Sequence, residues 1–329
     1  MGILHRGEIV AARAFGRHTF DSSSPAVTVE TIFDLASLTK VIATTSLAMV
    51  LHQRGRLDLD SSIAGVLPEL AQSDPQKRSV TVRMLLNHTS GLPAHAKLYH
   101  HAAGCDAIMQ AACRLPLQSS PGSRAIYSDI GFILLGELLA RLGGAPFVEL
   151  CQREVFAPLA LQHTAFNPPK SRMPCIPPTL EFCPFRKRAI QGEVNDENAS
   201  AMGGIAGHAG LFAPLADVLR FANSLLSGGS IFTRKTIALF TQRQPNAVGS
   251  FALGWDTPSL PSQSGRYFSA QTFGHLGYTG TSLWIDPTRE LAVVFLTNRT
   301  WPSPDRPEAN QIKQIRPAVH DAISEALPA

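Results

Sequence analysis

An α/β protein is what this sequence predicts, with one lobe closed by both chain termini and a mainly helical segment inserted between them. Three observations carry that expectation. Strand-like runs stand at the two ends, in "GEIVAARAFG" (7–16) and "TSLWIDPTRELAVVFLTNR" (281–299). Apolar runs at helical spacing fill the middle. The 329 residues, 44% of them hydrophobic, are enough for one large core or two lobes. The expected division takes 1–36 with 230–329 as the α/β part, and 37–229 as the mainly helical part with the active-site segments.

The elements follow in order. Residues 7–16 read as a strand bounded by glycines. From Leu38 to about Gln53, "LTKVIATTSLAMVLHQ" is apolar nearly all round, which predicts a buried central helix ending near Gly55. "VTVRMLLNHTSGLP" (80–93) predicts a short helix that stops before Gly91 and Pro93. Residues 94–125 are irregular and polar. "YSDIGFILLGELLARLGG" (127–144) and "PLADVLRFANSLLSGG" (214–229) predict two helices, each with a diglycine stop. Residues 281–299 read as a β-hairpin turning at Asp286-Pro287, followed by a last helix from about Asn310 to Ala326. No internal repeat or low-complexity tract is present.

Composition excludes several function classes. Net charge is +4, the basic residues are scattered, and the one dense cluster, "FRKR" at 185–188, is short, so a nucleic-acid partner is not expected. No apolar run reaches eighteen residues, so no membrane-spanning helix is expected. The start of the chain has no signal-peptide pattern, and Arg6 breaks a myristoylation motif; cytoplasmic residence is expected, or periplasmic residence if a leader was removed. Cys105, Cys113, Cys151, Cys175 and Cys183 are odd in number and form no CxxC pair, which suits reduced thiols better than disulfides or zinc. His95, His100 and His101 stand at no recognised ligand spacing, and no metal or other cofactor is expected. A P-loop and a G-x-S-x-G elbow are both absent.

The chemistry begins at "FDLASLTK" (33–40). Ser37 and Lys40 share a helix face at i and i+3. A serine hydroxyl becomes a nucleophile when a base takes its proton. A lysine can be that base if burial lowers its pKa, and Lys40 is the one charged residue between Asp34 and Arg54 in an apolar helix. At a helix N-terminus the Ser37 N–H is free to meet an oxyanion. Read alone, the pair also fits a capping serine and a snorkelling lysine. Tyr127, before the helix of 127–144, is a candidate proton relay if a cation such as Lys40 lies near, and otherwise a packing tyrosine. "FGHLGYTGTSLWIDP" (273–287) places glycines 274, 277 and 280 before a strand, which allows close backbone approach to a ligand and a second oxyanion N–H, or is simply a turn.

S-x-x-K, then Y-S-[ND] about ninety residues on, then [KH]-x-G before a C-terminal hairpin, together resemble the serine β-lactamase and penicillin-binding protein superfamily. The nearest branches are class C β-lactamases and family VIII carboxylesterases. "LLNHTSGLP" (85–93), "GFILLGELL" (131–139) and "GHAGLFAPLADVLRF" (207–221) agree, so the resemblance covers nearly the whole chain. It implies a β-lactamase/transpeptidase-like fold, an antiparallel sheet flanked by helices with an inserted mainly helical domain. It implies Ser37 as acylated nucleophile, Lys40 as its base partner and Tyr127 as proton relay. The N–H groups of Ser37 and Tyr278 would form the oxyanion hole. Asp129, His275, Gly277 and His208 would contact substrate.

Two departures bear on substrate. Asp129 stands where β-lactamases usually carry Asn, and an ionised carboxylate accepts hydrogen bonds but cannot donate. It is free instead to pair with Lys40. His275 replaces the lysine that helps hold a β-lactam carboxylate. Both favour an esterase, and the expectation is a serine hydrolase of carboxylesterase type acting on a small ester or amide. The alternatives are a β-lactamase or D,D-peptidase, and a catalytically silent module of another class. The segment "QGEVNDENASAMGGIAGHAGLFAP" (191–214) reads either as a pocket wall bearing Asn195, Asp196, Glu197 and His208 or as a structural loop.

Overall fold

The computed structural model describes residues 1–229, 231–244 and 249–327, so the expected domain boundary at 230 falls outside the described residues. A five-stranded antiparallel sheet joins the chain ends. Its order is Glu8–Ala12, Gly2–His5, Leu291–Phe295, Ser282–Asp286, Phe273–Leu276. The strand expected over 7–16 is in fact the second arm of a hairpin. The first arm, Gly2–His5, escaped the sequence reading. His5 pairs with Glu8 across a two-residue turn, and its Arg6 and Gly7 have φ of 51° and 81°. Positive φ at both central positions is what a tight hairpin of this twist requires.

Side chains alternate across this sheet as a strand's period of two dictates. Leu4, Ala292, Val294, Leu283 and Ile285 point into the large core, beside Leu215, Leu219 and Ala222 of the helix Leu215–Ser227. Ile3, Trp284, Leu291 and Val293 point the other way and pack with Phe268 and Ile323, the latter on the C-terminal helix Ile312–Ala326. Both faces are therefore covered by helices. The helix Leu215–Ser227 thus belongs with the sheet in space, although it lies within 37–229 in sequence. The hairpin expected over 281–299 is present, with Leu291 opposite Asp286.

A second, three-stranded sheet, Ile32–Asp34, Leu211–Pro214 and Ala165–Phe166, leads into the central helical run. That run is helical from Leu38, widens to a π-helical stretch over Lys40–Thr45, and continues as Ser46–Gln53. It is buried on every side, as its pattern predicted. The helix Asp129–Gly143 lies beside it, N-capped by the Ser128 hydroxyl and closed by Gly144 at φ 70°. The short helix expected in 80–93 is Val82–Leu86. Among the described residues, no single helix is long and apolar enough to cross a membrane.

Candidate active site

Ser37 sits one turn above the π-helical stretch, just after Ala36, whose φ of 47° is left-handed. For a residue with a Cβ that conformation is strained and persists only where its surroundings impose it. Asp34 imposes it here, its Oδ1 accepting the Ala36 N–H at 2.8 Å.

Lys40 is fully buried, and its ammonium donates to three acceptors. These are Ser37 Oγ at 2.9 Å, Asp129 Oδ1 at 2.7 Å and the His208 carbonyl at 3.1 Å. Three donors meet three acceptors, so no N–H is idle. The lowered lysine pKa expected from burial does not occur. Burial, the largest single influence, pulls the Lys40 pKa down, but Asp129 and Tyr127 together outweigh it and the net shift is upward. Lys40 holds Asp129 in turn well below the usual carboxylate range, against the desolvation of that carboxyl. The pairing of Asp129 with Lys40 is the one the sequence left open. It favours the ammonium form of the lysine.

Tyr127 completes the cluster. Its ring centroid lies 5.0 Å from Lys40 Nζ, and its phenol interacts with both Lys40 and Ser37. Burial pushes the phenol pKa up, while the Lys40 charge pulls it back part of the way. His88, read in the sequence only as part of "LLNHTSGLP", positions this tyrosine. Its carbonyl accepts the Ile126 N–H at 2.8 Å, its Nδ1 accepts the Ser128 N–H at 3.1 Å, and its ring packs 4.7 Å from that of Tyr127.

The backbone N–H groups of Ser37 and Tyr278 have no hydrogen-bond acceptor among the described residues, and both residues line the same cavity of about 790 Å³. Gly277 lets the second approach the first. A Cβ there would stand 2.6 Å from the Leu35 carbonyl and 2.0 Å from Thr281 Oγ1. The close approach expected here toward a ligand is instead toward the turn that carries Ser37. His275 is buried and pushed down to about 3 by desolvation and by the Lys40 charge. Its Nδ1 lies 2.8 Å from the Leu276 carbonyl, so the neutral ring keeps its N–H on Nδ1 and Nε2 is left as an acceptor. His208 pairs with Asp196 at 2.9 Å, and both line the cavity together with Asn195 and Glu197.

The same cavity is lined by three basic residues that the sequence reading did not single out: Arg299, Lys313 and Arg316. Among the described residues, none of them meets a carboxylate. Arg299 donates to the Tyr278 carbonyl at 2.6 Å and its guanidinium lies 4.6 Å from that ring's centroid. Arg316 is 4% exposed, donates to the Gly280 carbonyl at 2.8 Å, and leaves its Nε without a partner. Desolvation, aided by Arg299, lowers its pKa to about 10. The signal in the sequence was faint: lone basic residues in "LTNRTW" and "QIKQIR" look like surface charge. The histidines considered for a metal are dispersed, His95 lying 3.8 Å from Asp129 and His100 packing on Tyr99 and Phe185. No group of three His, Cys, Asp or Glu side chains that could hold a metal occurs among the described residues.

A serine beside an ammonium, a half-buried tyrosine and two free N–H groups at one cavity match the order and spacing of the three sequence motifs, and the Beta-lactamase family model matches residues 1–316. The chain belongs to the beta-lactamase family. It is a serine hydrolase of that family. A protein of Salmonella agona named "Putative D-alanyl-D-alanine carboxypeptidase" is 32% identical over 336 residues, covering 92% of this chain and 75% of the relative. One of the same name from Escherichia coli K12 is 32% identical over 330 residues, covering 90% and 76%. The fold matches a class C beta lactamase from Rhodobacter sphaeroides with a TM-score of 0.72, at 20% identity over 98% of this chain and 93% of that one. It also matches EstCE1, described as a hydrolase with promiscuous acyltransferase activity, with a TM-score of 0.77, at 23% identity over 97% and 92%. At such identities the likeness is one of fold.

Proposed function

We propose that this beta-lactamase-family hydrolase acts on peptide-like amides and esters that carry a free carboxylate next to the scissile bond, in the manner of a carboxypeptidase. One observation carries the reading: the cavity that contains Ser37 is also lined by the half-buried Arg299, the buried Arg316 and the exposed Lys313, none of which meets a carboxylate among the described residues. A buried or half-buried guanidinium without a counter-ion suits a carboxylate. They supply the positive charge that neutral His275 does not. The names of the Salmonella and Escherichia relatives accord with this reading.

In the proposed reaction Ser37 Oγ attacks the carbonyl carbon. Its proton passes to the Tyr127 oxygen, whose phenolate form the neighbouring Lys40 ammonium stabilises. The tetrahedral oxyanion takes the N–H groups of Ser37 and Tyr278. Tyr127 then delivers the proton to the leaving amine or alcohol, leaving an acyl-Ser37. Water, deprotonated along the same path, releases the acid. Lys40 keeps its charge throughout, because its ion pair with Asp129 would otherwise be lost.

The esterase reading keeps one observation in its favour. Asp129 offers no N–H to an acyl-side amide, which leaves simple esters less disadvantaged. Turnover of an N-acyl-D-Ala-D-Ala peptide, the same peptide as its C-terminal amide, nitrocefin and p-nitrophenyl acetate, compared on one preparation, separates the readings. The proposal expects the free carboxylate peptide to exceed its amide by on the order of 10- to 100-fold in kcat/KM. Equal turnover of the two peptides, with the acetate far ahead, would overturn it.

A further inference from the structure

Asp34 takes no part in the acyl transfer, yet three parts of the site meet on it. It ends the strand Ile32–Asp34 and is 3% exposed. Its Oδ1 accepts the N–H of Ala36 at 2.8 Å, and its Oδ2 accepts the N–H of Asn195 at 2.6 Å. Its backbone carbonyl accepts the Thr279 hydroxyl at 2.7 Å, and the Leu35 carbonyl accepts that of Thr281 at 3.0 Å. The turn that presents Ser37, the 191–214 segment with Asp196 and His208, and the loop that carries Tyr278 are all tied at this one point. The strained φ at Ala36 is held by the first of these bonds.

We propose that Asp34 is a positioning residue: as a carboxylate it fixes the turn that brings the Ser37 N–H to the oxyanion hole and ties that turn to the 191–214 segment, and its protonation loosens the Ser37 half of the hole. The inference rests on the acyl-enzyme reading above. Two oxygens facing two N–H donors are best satisfied when the group is ionised, since protonation makes one oxygen a weaker acceptor and adds an O–H that needs its own partner. Charge-assisted bonds of this kind are also the stronger ones. Burial opposes ionisation and raises the Asp34 pKa to about 6, with the Ala36 and Asn195 N–H bonds resisting. The charged groups that act on it are Asp196, paired with His208 in the 191–214 segment, and Arg186, which donates to the Val194 and Asn195 carbonyls. A carboxyl with a raised pKa is ionised above that value, so oxyanion binding is intact at neutral pH and fades as pH falls through about 6.

The test measures the rate at which a fluorophosphonate labels Ser37, by intact mass, from pH 5 to 9. It is paired with kcat and KM for an activated ester. In the parent the labelling rate should drop on the acid side near pH 6. Asp34→Asn places an amide N–H₂ against an N–H donor. It should lower labelling and kcat at pH 8 by on the order of 10- to 100-fold, leave KM within about threefold, and remove the additional break near pH 6, leaving only the gradual rise with Tyr127 ionisation. Asp34→Glu restores a carboxylate, so an acid limb should return at a shifted pH; this variant decides the matter alone if Asp34→Asn does not fold. An Asn variant that labels within about twofold of the parent, or a limb that stays unmoved in either variant, overturns the clamp while leaving the acyl-enzyme reading intact. A parent that never labels at Ser37 overturns that reading and the clamp with it.

Discussion

Two groups of residues at the cavity contrast. Beside Ser37, Lys40 is paired with Asp129 and Asp196 with His208, and the Lys40 N–H groups meet three acceptors. Around Arg299, Lys313 and Arg316 the charges go unanswered, and Arg316 keeps an idle Nε in the interior. The Lys40 ammonium has each N–H satisfied without substrate, which suits preorganised chemistry. The three basic residues have no counter-ion among the described residues, which suits recognition of an anion. Under the proposed function one part of the lining reacts and the other selects.

The sharpest way to break that division is to remove the reacting atom. Ser37→Ala should lose about 10⁴-fold or more in kcat for every substrate, while a carboxylate ligand still binds the other wall. Residual turnover of p-nitrophenyl acetate at the parent rate would show that the reaction is elsewhere. Removing Lys40 tests whether the answered side is also structural. Lys40→Met leaves Asp129 charged without a partner, which should cost about 3 kcal/mol of stability in urea unfolding as well as activity. The pair Lys40→Met with Asp129→Asn should recover most of that stability and none of the activity. Arg299, by contrast, has no carboxylate to strand, so its removal should leave the midpoint nearly unchanged.

The contrast also explains what was legible in the sequence. The reacting wall announces itself because its residues are tied to local spacing: Ser37 and Lys40 at i and i+3, Tyr127 before a helix cap, His275 and Gly277 before a hairpin. The buried helix of 38–53 and the hairpin of 281–299 were legible for the same reason, since their periodicity is local. The hairpin arm Gly2–His5 was not, because four residues carry too little pattern and its partner Leu291–Phe295 lies at the far end of the chain. The selecting wall was silent. Arg299 follows the last strand and Arg316 sits on the final helix, and nothing in either neighbourhood says that both line the cavity that contains Ser37. The direction of the Lys40 shift was also hidden, because it depends on Asp129, 89 positions away.

Asp129→Asn sharpens the comparison from the reacting side. With the carboxylate gone, burial of Lys40 is no longer opposed by its strongest partner, and its pKa should fall. A lysine with a raised pKa stays charged into the alkaline range, and one with a lowered pKa can accept a proton at a lower pH. In the parent, activity should thus climb into alkaline pH with the ionisation of Tyr127, whose own pKa burial raises. In Asp129→Asn the basic-side rise should begin at lower pH, and the new amide should favour acyl-side amides. The pH profile of kcat, measured on the same ester for both proteins, reads the shift directly. Superimposable profiles would mean that Asp129 does not govern the charge of Lys40.

The smallest expected effect lies on the selecting wall and isolates it. Arg299→Gln keeps a donor near the Tyr278 carbonyl but removes the charge. The guanidinium is partly exposed and its two cationic neighbours remain, so the loss should be modest. For a carboxylate-bearing peptide KM should rise by roughly tenfold, with kcat nearly unchanged, the mark of binding lost equally from ground and transition states. For p-nitrophenyl acetate, which has no carboxylate, both constants should stay put. Added salt should weaken peptide binding in the parent more than in the variant, since screening acts on a charge the variant lacks. If kcat falls for the acetate as well, Arg299 serves the oxyanion loop through its bond to the Tyr278 carbonyl, and the wall that selects is also part of the wall that reacts.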